Sequence, residues 1–275
     1  MPHLFSPIKI KNIEFKNRLV VSPMCEYSSQ DGFASDWHLV HLGSRAIGGA
    51  ALVITEATAV SSEGRITEGD LGIYKDEHIA KLKQVTDFIH RHDSVAGIQL
   101  AHAGRKASHQ IPWEGGAQIP SDQPGGWKTY APSALSFTEN EEPPVALDKA
   151  GIKKVKADFK QAALRAITAG FKVIELHGAH GYLVHEFLTP LVNKRTDSYG
   201  GTLEDRARIL LEIVAAVREA IGPERALGVR LCGDELIEHG TTIDEATAVD
   251  DQEHARLMAK AEAGGVQTTG EAAGS

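Results

Sequence analysis

The sequence predicts an α/β protein of the (β/α)8 barrel type, with about five βα units recognisable. Three observations carry this. Short β-rich runs alternate five times with longer segments of helical period. The runs are nearly continuously apolar, as parallel strands covered on both faces are. Their polar residues gather at the C-terminal ends, where βα barrels build their sites. The competing architecture, an open doubly wound sheet, usually carries GxGxxG after its first strand or GxxxxGKS/T, and neither occurs here.

In chain order, residues 4–17 (LFSPIKIKNIEFKN) alternate apolar and polar residues around Lys11-Asn12, which predicts a hairpin placed to plug the barrel floor. The first strand is expected over 18–24 with its helix at 36–48, and the second over 51–60 with its helix at 76–92. The third follows over 95–102 with a helix at 147–169, the fourth over 172–180 with a helix at 203–221, and the fifth over 227–233 with a helix at 242–263. The 203–221 helix shows the basis: Leu203, Ala207, Leu210, Leu211, Val214, Val217 and Ile221 keep to one face, and Thr202 is placed as N-cap with Asp205 three residues on. Residues 103–146 interrupt the third unit with Pro112, Pro120, Pro124, Pro132, Pro143 and Pro144 and with Trp113, Trp127 and Tyr130. So many aromatics need somewhere to pack, which predicts a lid or substrate wall over the active face.

Composition narrows the partners. A formal charge of -8 without a basic run argues against nucleic acid. No stretch of about 18 apolar residues predicts a membrane span, and the N-terminus lacks an apolar leader. Two distant cysteines, Cys25 and Cys232, fit reduced thiols, and together these features predict a cytoplasmic protein.

Chemistry concentrates after the fourth strand, where 176-LHGAHGYLVHEF-187 supplies His177, His180 and Tyr182. Gly178 and Gly181 are expected to turn the chain so that all three side chains reach one pocket. Alone, a His-x-x-His pair also fits a zinc half-site or two capped histidines.

The motifs 21-VSPMCEY-27, 55-TEATAV-60, 99-QLAHAGRKA-107, 177-HGAHGY-182 and 193-NKRTDSYGGTLEDRARILLE-212 occur in order. With them the chain resembles the Old Yellow Enzyme family of flavin-dependent ene-reductases, in its bacterial xenobiotic-reductase-like branch, over roughly residues 4–240. The last motif departs only at Asp205, where Asn is usual. The resemblance implies a barrel holding FMN that is reduced by NADPH or NADH and reduces the C=C bond of an α,β-unsaturated carbonyl compound. It implies that His177 and His180 bind the carbonyl oxygen, that Tyr182 protonates the α-carbon, and that Ser22, Pro23, Met24, Cys25, Ala57, Gln99 and Arg230 bind the flavin. Tyr27 would close the substrate side, the thiol of Cys25 would tune the flavin, and Arg105 and Lys106 would stand near the mouth or in solvent. Arg230 would find in the flavin the acceptor that a buried guanidinium requires. Glu175 is expected to face the helices or pair with an Arg. The expected partner is a small electrophilic enone, with a homo-oligomer left open.

The resemblance also sets an expectation of departure. Residues 246–275 are charged and then polar where a sixth strand would begin, so the barrel is expected to lack its last strands and their phosphate-binding loops. Two alternatives follow: a flavin-poor, non-catalytic barrel module completed by a partner, and a metal-dependent aldolase or hydrolase using His177 and His180 with Glu56 or Glu175. The family reading expects no metal.

Overall fold

The computed structural model describes residues 3–252. The chain opens with a hairpin, β1 (Ile8–Ile10) paired antiparallel to β2 (Ile13–Phe15). Then come β3 (Val20–Val21), α1 (Asp36–Ile47), β4 (Leu52–Ala59), α2 (His78–Arg91) and β5 (Val95–Ala101). Within 103–146 two short strands, β6 (Tyr130–Ala131) and β7 (Val145–Ala146), pair in parallel. The chain continues through α3 (Lys149–Thr168), β8 (Val173–Gly178), α4 (Leu183–Leu188), α5 (Leu203–Ile221) and β9 (Ala226–Leu231). Residues 243–252 are helical; the expected helix beyond 252 and the place of a sixth strand lie outside the described residues.

The main sheet is parallel, in the order β3-β4-β5-β8-β9. A doubly wound sheet reverses direction at a switch point, whereas this order never does. With right-handed crossovers, every helix then falls on one face. Accordingly α1 packs on α2, α2 on α3, and α3 on α5, which is the arrangement of five successive units of a (β/α)8 barrel.

Strand alternation decides what faces where. Ile98, Leu100, Ile174 and Leu176 join the core beneath the helices, together with Phe159, Phe187, Leu210 and Val214. Their neighbours Gln99, Glu175 and His177 therefore point the other way, into the barrel. At the floor, Ile13 and Phe15 of the hairpin are buried against Leu52, Ile54 and Val95, so the hairpin closes the N-terminal end and leaves the C-terminal rim for chemistry.

Some boundaries differ from expectation for local reasons. The first strand shrinks to Val20–Val21, because Ser22 and Met24 turn out to an exposed segment. Thr202 does cap α5, its hydroxyl accepting from the Asp205 amide at 3.3 Å. The α4 helix, absent from the sequence reading, has all six residues buried in a continuous apolar run that hides His185 and Glu186.

Candidate active site

The site grows from the end of β8. Glu175 and His177 alternate onto the inner face, and the chain then turns at His180 (φ 61) and Gly181 (φ 71). Gly181 turns the chain as expected, and Gly178 does not. Gly178 is still strand, tight against β9, where a Cβ would meet the Arg230 carbonyl at 3.1 Å, while His180 itself takes the left-handed conformation beside Gly181. The turn brings the three rings together: His177 lies edge-on to His180 and to Tyr182, with centroids 5.0 Å apart in both pairs.

The hydrogen bonding fixes the tautomer of His177. Its Nδ1 accepts the Ala179 amide at 3.2 Å, so in the neutral ring the proton sits on Nε2, for which the described residues offer no partner. Burial, then the nearby His180 and Arg230 charges, hold the imidazole down at a pKa of about 3, which keeps it a neutral donor. His180, at the exposed rim, is also pushed below the ordinary histidine range, by burial and then by Arg230 and Lys106. Burial raises the Tyr182 phenol, with Cys25, Tyr27 and Asp70 adding to the effect, so at neutral pH it carries its proton.

Below the histidines, the inner faces of three adjacent strands share one carboxylate. Glu175 accepts from Gln99 Nε2 at 2.7 Å, from Arg230 Nε at 2.9 Å and from Arg230 Nη2 at 3.2 Å. Glu175 therefore does not face the helices; its i, i+2 relation to His177 puts it inside. Arg230 accordingly has a protein acceptor and does not depend on a cofactor for one. Gln99 Oε1 and Arg230 Nη1 remain without a protein partner among the described residues, an acceptor and a donor on side chains that flank the same carboxylate.

The other expected residues line the same rim. Ala57 is buried on β4 in register with Gln99, after a bulge between Ile54 and Ala57. Ser22, Pro23 and Met24 follow β3, with Met24 46% exposed. Burial pushes the Cys25 thiol up to about 12, with Asp70 and Glu56 adding, so it is a neutral thiol rather than a thiolate. Tyr27 adopts φ 48 and meets Trp113 of the insertion edge-on at 5.7 Å.

Lys106 proves not to be a solvated cation. Its Nζ donates to the His180 carbonyl at 2.8 Å and lies 4.6 Å from the Phe137 ring centre and 5.6 Å from that of Tyr182, tying the insertion to the histidine turn. Arg105 donates from Nη1 to the Ser136 carbonyl at 3.0 Å, and its amide donates to Glu186 Oε1 at 2.9 Å. Gly104 (φ +65) is needed here, because a Cβ would clash with that carboxylate oxygen.

Sequence reasoning passed over Glu186 and Asp70. Both are buried, and burial raises their carboxyls, to about 8 and about 7 respectively. For Glu186 the signal was a charged residue inside the apolar run YLVHEFL; for Asp70 no pattern in its neighbours gave it away.

The carboxylates offered for a metal are committed elsewhere. Glu56 pairs with His38 at 3.0 Å and accepts the Glu26 amide at 3.0 Å, while Glu175 is held by Gln99 and Arg230. Among the described residues no group of three or more His, Cys, Asp or Glu is placed to hold a metal ion, and no helix is long and apolar enough to cross a membrane.

Comparison with known proteins agrees with this geometry. An NADPH dehydrogenase of Bacillus cytotoxicus is 50% identical over 245 residues, covering 88% of this chain and 65% of the relative. An NADH:flavin oxidoreductase of Gibberella zeae is 46% identical over 239 residues, covering 86% and 58%. The chain thus spans less than two thirds of the length of these curated relatives. Among solved structures, an Old Yellow Enzyme from Pichia sp. superposes with a TM-score of 0.80 at 33% identity, over 95% of this chain and 68% of that one. Morphinone reductase in complex with tetrahydroNAD gives 0.78 at 33%, over 94% and 71%. The sequence pattern of the NADH:flavin oxidoreductase / NADH oxidase family matches residues 3–269, and this chain belongs to that family, in company with the Old Yellow Enzymes.

Proposed function

We propose that the protein is an FMN-dependent NAD(P)H oxidoreductase that reduces the C=C bond of α,β-unsaturated carbonyl compounds. The observation that carries this is the His177 Nε2–H, a neutral donor without a protein partner beside a protonated Tyr182. Gln99 Oε1 and Arg230 Nη1 offer the acceptor and donor that the N–H and C=O edge of a flavin needs, and Ala57 leaves room for a flat ring system. Ser22, Pro23, Met24 and Cys25 would lie along its other side. FMN, when bound, supplies the hydride.

The protein's own residues do the rest. His177 and His180 donate to the carbonyl oxygen, stabilising the negative charge that grows there as the β-carbon accepts hydride. Tyr182 gives its phenolic proton to the α-carbon. Tyr27 with Trp113, and Lys106 with Phe137, bring the 103–146 insertion to the rim as a substrate wall. We read residues 1–275 as one barrel domain with this insertion as its lid and the 4–17 hairpin as its floor.

Anaerobic stopped-flow tests the reading. Tyr182→Phe is expected to leave flavin reduction by NADPH near normal and to slow flavin reoxidation by a cyclic enone by about 10²-fold or more. Equal slowing of both half-reactions would remove the proton-donor assignment.

A further inference from the structure

We infer that Asp70 supplies the proton that restores Tyr182 between turnovers, passing it through a small cavity that the two side chains share. This rests on the proposed role of Tyr182 and extends it. Among the described residues Asp70 hydrogen-bonds only within its own loop, to Ile66 and Thr67, and it shares its cavity with Ala57 of the proposed ring site and with Tyr182, through which it acts on the reaction.

The geometry begins with a gap that small side chains leave. Ala57 and Ala59 of β4, Ala101 and Ala103 at the end of β5, Asp70 and Tyr182 line a cavity with about 10 Å³ open to the centre of a water molecule. That is close to the least volume that holds one water. Asp70 is 2% exposed. Its Oδ2 accepts the Ile66 amide at 2.7 Å, and its Oδ1 accepts the Thr67 amide at 3.2 Å and the Thr67 hydroxyl at 2.9 Å. Cys25 and Tyr27 face it from the segment after β3, Glu56 from β4, Tyr182 from the turn before α4, and Thr67 from its own loop. None of these is a cation. Burial, reinforced by the Glu56 charge, accordingly lifts the carboxyl to about 7, where it holds a proton for much of the time at neutral pH.

The proton balance closes. The Tyr182 O–H bond breaks as its proton goes to the substrate α-carbon, leaving a phenolate. The cavity water gives a proton to the phenolate oxygen, and the Asp70 O–H bond breaks to refill the water. The resulting carboxylate regains its proton from solvent before the next turnover.

The test uses the full chain reconstituted with FMN, with NADPH and a cyclic enone. At pH 7, Asp70→Asn is expected to show one fast turnover, because Tyr182 starts protonated, and then a steady state slowed by about tenfold or more. Wild-type steady-state turnover should fall above neutral pH, with a midpoint equal to that of the Asp70 carboxyl followed by ¹³C NMR, a readout that needs no flavin. A steady state in Asp70→Asn with no burst and the wild-type pH profile would overturn the inference while leaving the enone reading intact. Wild type that oxidises NADPH but reduces no enone would sink the Tyr182 reading, and this inference with it. Should Asp70→Asn not fold, the wild-type NMR titration decides, because a carboxyl midpoint in the ordinary Asp range leaves no stored proton at neutral pH.

Discussion

Replacing His177 by Ala is expected to cost about 2 to 4 kcal/mol of transition-state stabilisation in enone reduction. The reason is preorganisation. The Ala179 amide occupies Nδ1 and fixes the donor on Nε2, the ring is 3% exposed, and its neutral state holds throughout the working pH range. A donor already oriented in a site with little water is worth far more than the same donor in solution. His180 is exposed, and its ring has no hydrogen-bond partner among the described residues, so His180→Ala should lose less. Binding of a phenol that mimics the enolate, followed by titration, should weaken in parallel with the rate. If His177→Ala binds the phenol as wild type does, the carbonyl-binding assignment is wrong.

How much of this was legible in the sequence follows from the range of the interactions. The five βα units were readable because each is set by local period and caps: Thr202 sits over Asp205, and Ile174 and Leu176 alternate with Glu175 and His177. That alternation already contained the inward direction of Glu175; of its two expected fates, facing the helices overlooked a rule the strand itself obeys, and pairing with an Arg is what it does with Arg230. The triad Gln99, Glu175, Arg230 depends on register between three strands separated by long connections, which one sequence does not display. The turn was expected to rest on Gly178 and Gly181; it uses Gly181 together with His180, while Gly178 stays in the strand, packed against the β9 backbone. Between the mouth and solvent the sequence could not place Lys106, because nothing local says that His180 and Phe137 come to meet it from 74 residues and 31 residues away in the chain.

Glu186→Gln is expected to make the protein more stable than wild type at pH 9, an effect on the order of a few kcal/mol and opposite to the usual cost of altering a buried residue. Glu186 is 0% exposed, and its Oε1 accepts the Arg105 amide while Oε2 has no partner. Burial therefore raises its carboxyl from 4.5 in the unfolded chain to about 8. A group whose folded value is raised contributes stability that is complete below the unfolded value and is lost as pH rises through the folded one, at about 1.4 kcal/mol per pH unit. Asp70, raised to about 7, follows the same course but is exhausted earlier. His177 and His102, held at about 3 and about 4, act in the opposite sense, losing stability only as pH falls below the ordinary histidine value. Between about pH 7 and 8 the remaining slope thus belongs mainly to Glu186, and above about 8 it too is exhausted. Gln keeps the Oε1 acceptor for Arg105 and cannot ionise, so urea unfolding of the variant should give a nearly flat stability curve over that interval while wild type declines. A variant that declines in parallel with wild type would show that Glu186 is already ionised in the fold, paired through a rearrangement with Arg105, whose Nε is also buried without a partner.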